Sequence, residues 1–149
     1  MAKADQDRAR TFFREVAQAK PSPMYLFHGE ERYLLERAVE AIRTRLFGNE
    51  EVDPFLDVKL RAGEQSGQQV FDSARTVPML GGTQLIVVRD CERWSDDELK
   101  WMLRYSESPS KRTCLVLVAA KIDGRKTVWK GLRERAYEVG FQPLYRDQM

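Results

Sequence analysis

The sequence predicts an α/β domain of three layers, with helices on both faces of a mostly parallel five-stranded sheet. Three observations lead there. Short apolar runs alternate along the chain with amphipathic stretches. Three of those runs, Met24–His28, Leu85–Val88 and Thr113–Ala119, are continuously apolar and do not alternate, which suits strands covered on both faces. The 149 residues, 42% hydrophobic and 32% charged, are enough for one domain with a real core.

Taken in order, Asp5–Ala19 reads as a helix, with Phe12, Phe13, Val16 and Ala17 on one face, ended by Pro21 and Pro23. Met24–His28 is a buried strand closed by Gly29. Glu31–Phe47 carries Leu34, Leu35, Ala38, Val39, Ile42 and Leu46 at helical spacing, and Gly48-Asn49 stops it. Leu56–Leu60 alternates as a strand would. Ser66–Thr76 reads as a helix capped by Ser66, with Val70, Phe71, Ala74 and Val77 on one side. After the strand Leu85–Val88, Ser95 and Glu98 have the spacing of a capping box and open a helix through Leu99, Met102 and Leu103. Thr113–Ala119 is the next strand, Lys126–Tyr137 a helix, and Val139–Phe141 a short fifth strand. Residues 1–20 thus form an N-terminal helix and residues 24–141 the core of a single domain. The ending Arg146-Asp147-Gln148-Met149 reads as neither a tail nor a stop, so the expectation is one domain of a longer chain.

Composition excludes several classes of function. A net charge of +2 is too small for nucleic-acid binding by the whole surface. One histidine, His28, and two cysteines, Cys91 and Cys114, do not supply a zinc site at the usual spacings. Cys114 reads as a buried free thiol, which points to a reducing cytoplasm. The longest apolar run, Cys114–Ala120, is seven residues, against the roughly 20 of a membrane helix, and Met1–Lys20 lacks the apolar middle of a secretory signal. No serine or cysteine stands in a nucleophile motif. No catalytic, metal or cofactor residues are therefore assigned.

The strand, glycine and helix of Met24–Phe47 occupy the place of a phosphate loop, G-x-x-x-x-G-K-[ST], whose glycines bring backbone N–H groups to phosphate while lysine supplies charge and the hydroxyl holds magnesium. Here Gly29 fills the first place, but Leu34, Leu35 and Glu36 stand where the second glycine, the lysine and the hydroxyl belong. Glu30, Glu31 and Glu36 add negative charge where phosphate would sit, better suited to a helix dipole than to an anion. The expectation is a degenerate nucleotide site. Asp90, after the apolar strand Leu85–Val88, is a strand-end aspartate of a kind any buried strand can carry.

Val77-Pro78-Met79-Leu80-Gly81-Gly82 places two large apolar residues in a turn between helix and strand. They are either an exposed anchor for an apolar pocket or a hydrophobic closure of the helix end, and pattern alone favours the closure. Lys121, Arg125, Lys126, Lys130, Arg133 and Arg135 form a basic stretch against Asp123 and Glu134. It reads first as a solvated face and second as a weak DNA contact through Lys121, Arg125, Lys126 and Lys130. Trp94, Trp101 and Trp129 read as packing residues.

Met24–Glu31 with Tyr33-Leu34-Leu35-Glu36, then Val77-Pro78-Met79-Leu80 with Leu85–Arg89, then Thr113–Ala119 with Lys121-Ile122-Asp123 and Arg125-Lys126, resemble in order and spacing three blocks of the delta subunit of bacterial DNA polymerase III. That resemblance implies an ATPase-like (AAA+) fold with a dead nucleotide site and no catalysis by the domain itself. It implies a subunit that grips and opens the sliding clamp (the beta subunit) within a loader that also contains gamma/tau and delta-prime subunits and acts on primer-template DNA. It places the clamp-binding apolar pair, carried at the tip of a helix, at Met79 and Leu80, flanked by Val77 and Pro78, and so moves the reading of that turn to the anchor. Members often carry Leu-Phe or Phe-Phe there; Met-Leu keeps the apolar character without the aromatic ring. The family's second domain and helical collar domain are not in these residues, so the chain is expected to bind clamp without assembling a loader. The alternatives are an active α/β ATPase and a nucleic-acid-binding module.

Overall fold

Helices that bury one stripe and strands that bury both faces can be satisfied together only by stacking in layers, and the computed structural model, which describes residues 2–143, has that arrangement. The elements are α1 (Ala2–Val16), β1 (Met24–His28), α2 (Arg32–Phe47), β2 (Asp57–Arg61), α3 (Gly67–Arg75), β3 (Gln84–Arg89), a short 3-10 turn (Cys91–Arg93), α4 (Asp96–Glu107), β4 (Thr113–Ala119), α5 (Thr127–Arg135) and β5 (Tyr137–Gly140). The ending at Arg146–Met149 lies outside the described residues.

The sheet runs β2-β3-β4-β1-β5. Every pairing is parallel, with Leu26 opposite Leu117 and Ile86 opposite Leu115. The sheet is therefore wholly parallel, where the sequence predicted it mostly so. Alternate residues of β1 feed different layers. Tyr25 and Phe27 pack with Phe12 and Val16 of α1 and with Leu35, Ala38, Val39 and Ile42 of α2. Met24 and Leu26 face the layer of α3, α4 and α5, with Val70, Leu99, Met102 and Leu132. Phe12 stacks edge-on against both Tyr25 and Phe27, at centroid distances of 5.8 and 5.2 Å, so α1 is part of the core rather than an appendage. Trp94 and Trp129 are buried and Trp101 packs at the core's margin, as packing residues do.

Several boundaries differ from the sequence reading, each for a local reason. The first helix stops at Val16, leaving Ala17 exposed. The fifth helix of the sequence reading extends to Tyr137, but α5 ends at Arg135, where Ala136 turns to extended backbone and Tyr137 joins β5 beside Tyr25. Val77 lies beyond α3 and is exposed instead of sharing its buried face. The complete capping box is at Ser66 and Gln69. Ser95 accepts the Glu98 N–H at 3.3 Å, but the Glu98 carboxylate leaves its own helix and accepts the Gly67 N–H of α3 at 2.7 Å. One acidic side chain thereby ties the starts of α3 and α4 together, and a Cβ on Gly67 would come within 2.2 Å of the Glu98 carbonyl.

Candidate functional site

Parallel strands leave a crevice at their carboxyl ends where neighbouring connections depart to opposite faces, and ligands of open α/β sheets bind there. In this chain β1 leads to α2 on one face while its neighbour β4 leads to α5 on the other. A cleft of about 770 Å³ lies at that point, lined by residues that include Gly29, Glu30, Glu36, Arg61, Arg89 and Asp90.

Much of its polar chemistry is taken up by the protein itself. The Gly29 N–H donates to the Ala119 carbonyl at 3.1 Å and the Glu31 N–H to the Phe141 carbonyl at 3.0 Å. In a phosphate loop such groups would face the anion. Gly29 has φ +129°, and a Cβ there would stand 2.1 Å from the Phe141 carbonyl oxygen, so the glycine serves a close approach of β5's end. Two of the cleft's three arginines are engaged as well: Arg89 pairs with Glu36, and Arg61 with Asp90, which sits in the left-handed region at φ 62°, while Arg32 is exposed and in no ion pair among the described residues. Glu36 thus serves an ion pair across to β3, and α2 begins with no acid in its first turn and no side-chain cap. No group of three or more potential metal ligands occurs among the described residues. Titration calorimetry with magnesium-ATP is expected to give no heat of binding, and a micromolar dissociation constant would overturn this account of the crevice.

At the opposite end of the sheet, the segment after α3 is held from several sides. Helix α3 ends at Arg75, and its last carbonyls would be unsatisfied without partners. The buried Gln84 amide reaches the Ser73 and Thr76 carbonyls at 3.1 and 2.9 Å, and the buried Thr113 hydroxyl donates to the Ala74 carbonyl at 2.7 Å. Gln84 and Thr113 also bond each other at 2.9 Å. Beyond this anchorage, Pro78 and Gly81 close a turn, with the Gly81 N–H on the Pro78 carbonyl at 3.2 Å. Gly81 and Gly82 both have positive φ, +82° and +85°, which larger residues rarely adopt. The Arg112 side chain donates to the Gly82 carbonyl at 3.2 Å.

Met79 and Leu80 are the two central residues of that turn and are 98% and 92% exposed. They do not fold back on the core. The turn stands off the helix instead of forming its tip, because Thr76 has already gone to extended backbone. Val77 is exposed and Pro78 partly buried at the turn's base. Sequence reasoning found the pair but missed Gln84, Thr113 and Arg112. A polar residue opening an apolar strand was the available signal, and nothing local says that it reaches back to a helix end.

The basic stretch is largely neutralised. Arg125 pairs with Asp123, Lys126 with Asp96, Arg133 with Glu138 and Arg135 with Glu107. Of the four residues considered for DNA, Lys121 and Lys130 are exposed and in no ion pair among the described residues. Binding to duplex DNA at physiological salt is expected to be weak and without sequence preference; sub-micromolar, sequence-selective binding would contradict it.

The fold and the two ends of the sheet define a wholly parallel α/β domain with a largely self-paired cleft at the carboxyl ends of its strands and an exposed apolar turn at the far end. The family model for DNA polymerase III, delta subunit, matches residues 25–142, and the chain belongs to that family. It is 27% identical over 142 residues to DNA polymerase III subunit delta of Bacillus subtilis, covering 89% of this chain and 41% of that protein. Among solved structures it is similar to a Bacillus subtilis DNA clamp loader delta protein, with a TM-score of 0.80, 23% identity, and coverage of 94% of this chain and 44% of the other. It shares its fold with a DNA polymerase III gamma subunit-related protein of Thermotoga maritima, with a TM-score of 0.63, 14% identity, and coverage of 94% and 47%. The chain thus spans less than half the length of these relatives. No helix among the described residues is long and apolar enough to cross a membrane.

Proposed function

We propose that this chain is the N-terminal, clamp-gripping AAA+-like domain of a delta-type clamp-loader subunit and that it catalyses nothing itself. The observation that carries the reading is the pinned turn with Met79 and Leu80 almost fully exposed at its centre. A free pair of large apolar side chains, preset by two glycines and anchored through Gln84, Thr113 and Arg112, loses little freedom on entering a pocket. Val77 and Pro78 form the base of the contact. A crevice with Leu34, Leu35 and Glu36 in the phosphate-loop places and its backbone N–H groups paired internally supports a role without ATP turnover, so the domain acts by binding.

In the protein that carries this domain, gamma/tau and delta-prime subunits are the proposed neighbours, with primer-template DNA reached through the assembly, in the cytoplasm. The domain's part is to hold the sliding clamp at its opening interface. Titration of the chain with the cognate sliding clamp tests the reading. Saturable binding by a soluble monomer is expected, and its absence would refute the assignment.

A further inference from the structure

A second turn lies beside the first. Residues 53–56 lead into β2, closed by the Leu56 N–H on the Asp53 carbonyl at 2.8 Å, and the Asp53 carboxylate accepts the Phe55 N–H at 2.9 Å. Both bonds preset the turn, and Phe55 projects from it 85% exposed. The Leu56 carbonyl accepts the Leu85 N–H of β3 at 2.7 Å, and a Cβ on Gly82 would lie 3.7 Å from Leu56 Cδ1. The turns before β2 and β3 are therefore in contact at one end of the sheet. Among the described residues the large exposed apolar side chains are Tyr33, Leu34, Phe55, Val77, Met79 and Leu80. The last four share this end, and the first two lie at the other, beside the crevice.

We propose that Phe55 is a third contact of the clamp-binding surface, an aromatic side chain working with Met79 and Leu80. This inference rests on the clamp-gripping reading and extends it to a second turn. An aromatic ring delivers a large contact area with only two rotatable side-chain bonds, which is why such residues dominate binding hot spots. The Met79–Leu80 turn contains none, and its neighbour presents one. The surroundings select the occupant. Glu50, Glu51 and Asp53 closely precede Phe55 in the chain and are exposed, and such carboxylates repel a phosphate backbone, so the ring is placed for an apolar pocket on a protein and not for a nucleic-acid base.

The test is a clamp titration of the chain and of its Phe55→Ala, Phe55→Leu and Met79→Ala/Leu80→Ala variants, each with a thermal melt. Phe55→Trp adds a fluorescent reporter at the site. Phe55→Ala is expected to weaken clamp binding about five- to tenfold with an unchanged melt, Phe55→Leu by less, and the Phe55→Trp emission to shift to the blue on clamp addition. Wild-type affinity in Phe55→Ala, beside lost binding in the Met79/Leu80 variant, would overturn the role of Phe55 and leave the anchor pair standing. An unmoved Phe55→Trp emission at saturating clamp would do the same. No binding by the unaltered chain would overturn both readings.

Discussion

Replacing Met79 and Leu80 together by alanine is expected to cut clamp affinity at least twentyfold while leaving the melting temperature where it was. Each side chain, buried in an apolar pocket, contributes roughly 1.5–3 kcal/mol by transfer bookkeeping. Loss of the pair should therefore cost roughly 2 kcal/mol or more after ordering costs, which is the stated loss in affinity. The unchanged melt follows from exposures of 98% and 92% in the free domain, since neither side chain has core contacts to lose. Had the pair closed over the end of α3, each truncation would cost roughly 2–5 kcal/mol of stability, and the melt would drop by many degrees. Clamp titration and a thermal melt on the same variant separate the cases. Lost binding with an intact melt supports the anchor, whereas intact binding with an intact melt eliminates this turn.

The support of the turn makes the same argument from the other side. Gln84 and Thr113 are buried and bonded to the last carbonyls of α3, so the turn begins from a fixed point. Exposure of an apolar pair is useful for recognition only if the backbone beneath it is rigid, because a floppy loop would spend its contact energy on ordering. The crevice at the other end fits the same division of labour: its strand ends are joined to one another through the Gly29 and Glu31 N–H groups, and the strand starts carry the exposed apolar turn.

Which parts of this were legible in the sequence follows from how local each signal is. Met24–His28 and Thr113–Ala119 were read with their observed bounds because an unbroken apolar run has one solution in a covered sheet. The crevice was read as degenerate because three residues at fixed offsets decide it. The edge strand β5 was misplaced because Tyr137 and Glu138 look like the end of a polar helix; their pairing with Tyr25 and Leu26 is far away in the chain. The capping box at Ser95 was expected from spacing, and its glutamate was instead drawn to α3, a choice set by tertiary packing. Met79 and Leu80 stood out through the proline and glycines around them. Phe55 did not, since one apolar residue before an alternating run looks like part of the strand.

Glu138 is the clearest case of chemistry hidden by distance in the chain. Its side chain, 7% exposed, meets His28 Nε2 at 2.7 Å, Arg8 at 2.8 Å and Arg133 at 2.8 Å, joining β5 to β1, α1 and α5. Burial by itself would raise its pKa, but the bonds and charges of His28 and Arg133 outweigh that and bring the carboxyl from 4.5 down to about 2. A carboxylate whose folded pKa lies below its unfolded value stabilises the fold above the unfolded value, and that contribution disappears as pH falls from about 4.5 towards 2. Its full size is about 3 kcal/mol. Glu138→Gln keeps the shape and removes the charge, leaving three cationic or ionisable partners without a counter-ion. The variant is expected to lose roughly 2–3 kcal/mol at neutral pH, lowering the melt by about 6–10 °C for a domain of this size. Its stability should then change much less than that of the unaltered chain between pH 4.5 and 2, since the proton uptake of this group is gone. Denaturant titrations across that range measure the difference. Parallel stability profiles for the two proteins would show that the network carries no such linkage, and an unchanged melt at neutral pH would show that α1 and β5 are held by Phe12 and its aromatic neighbours alone.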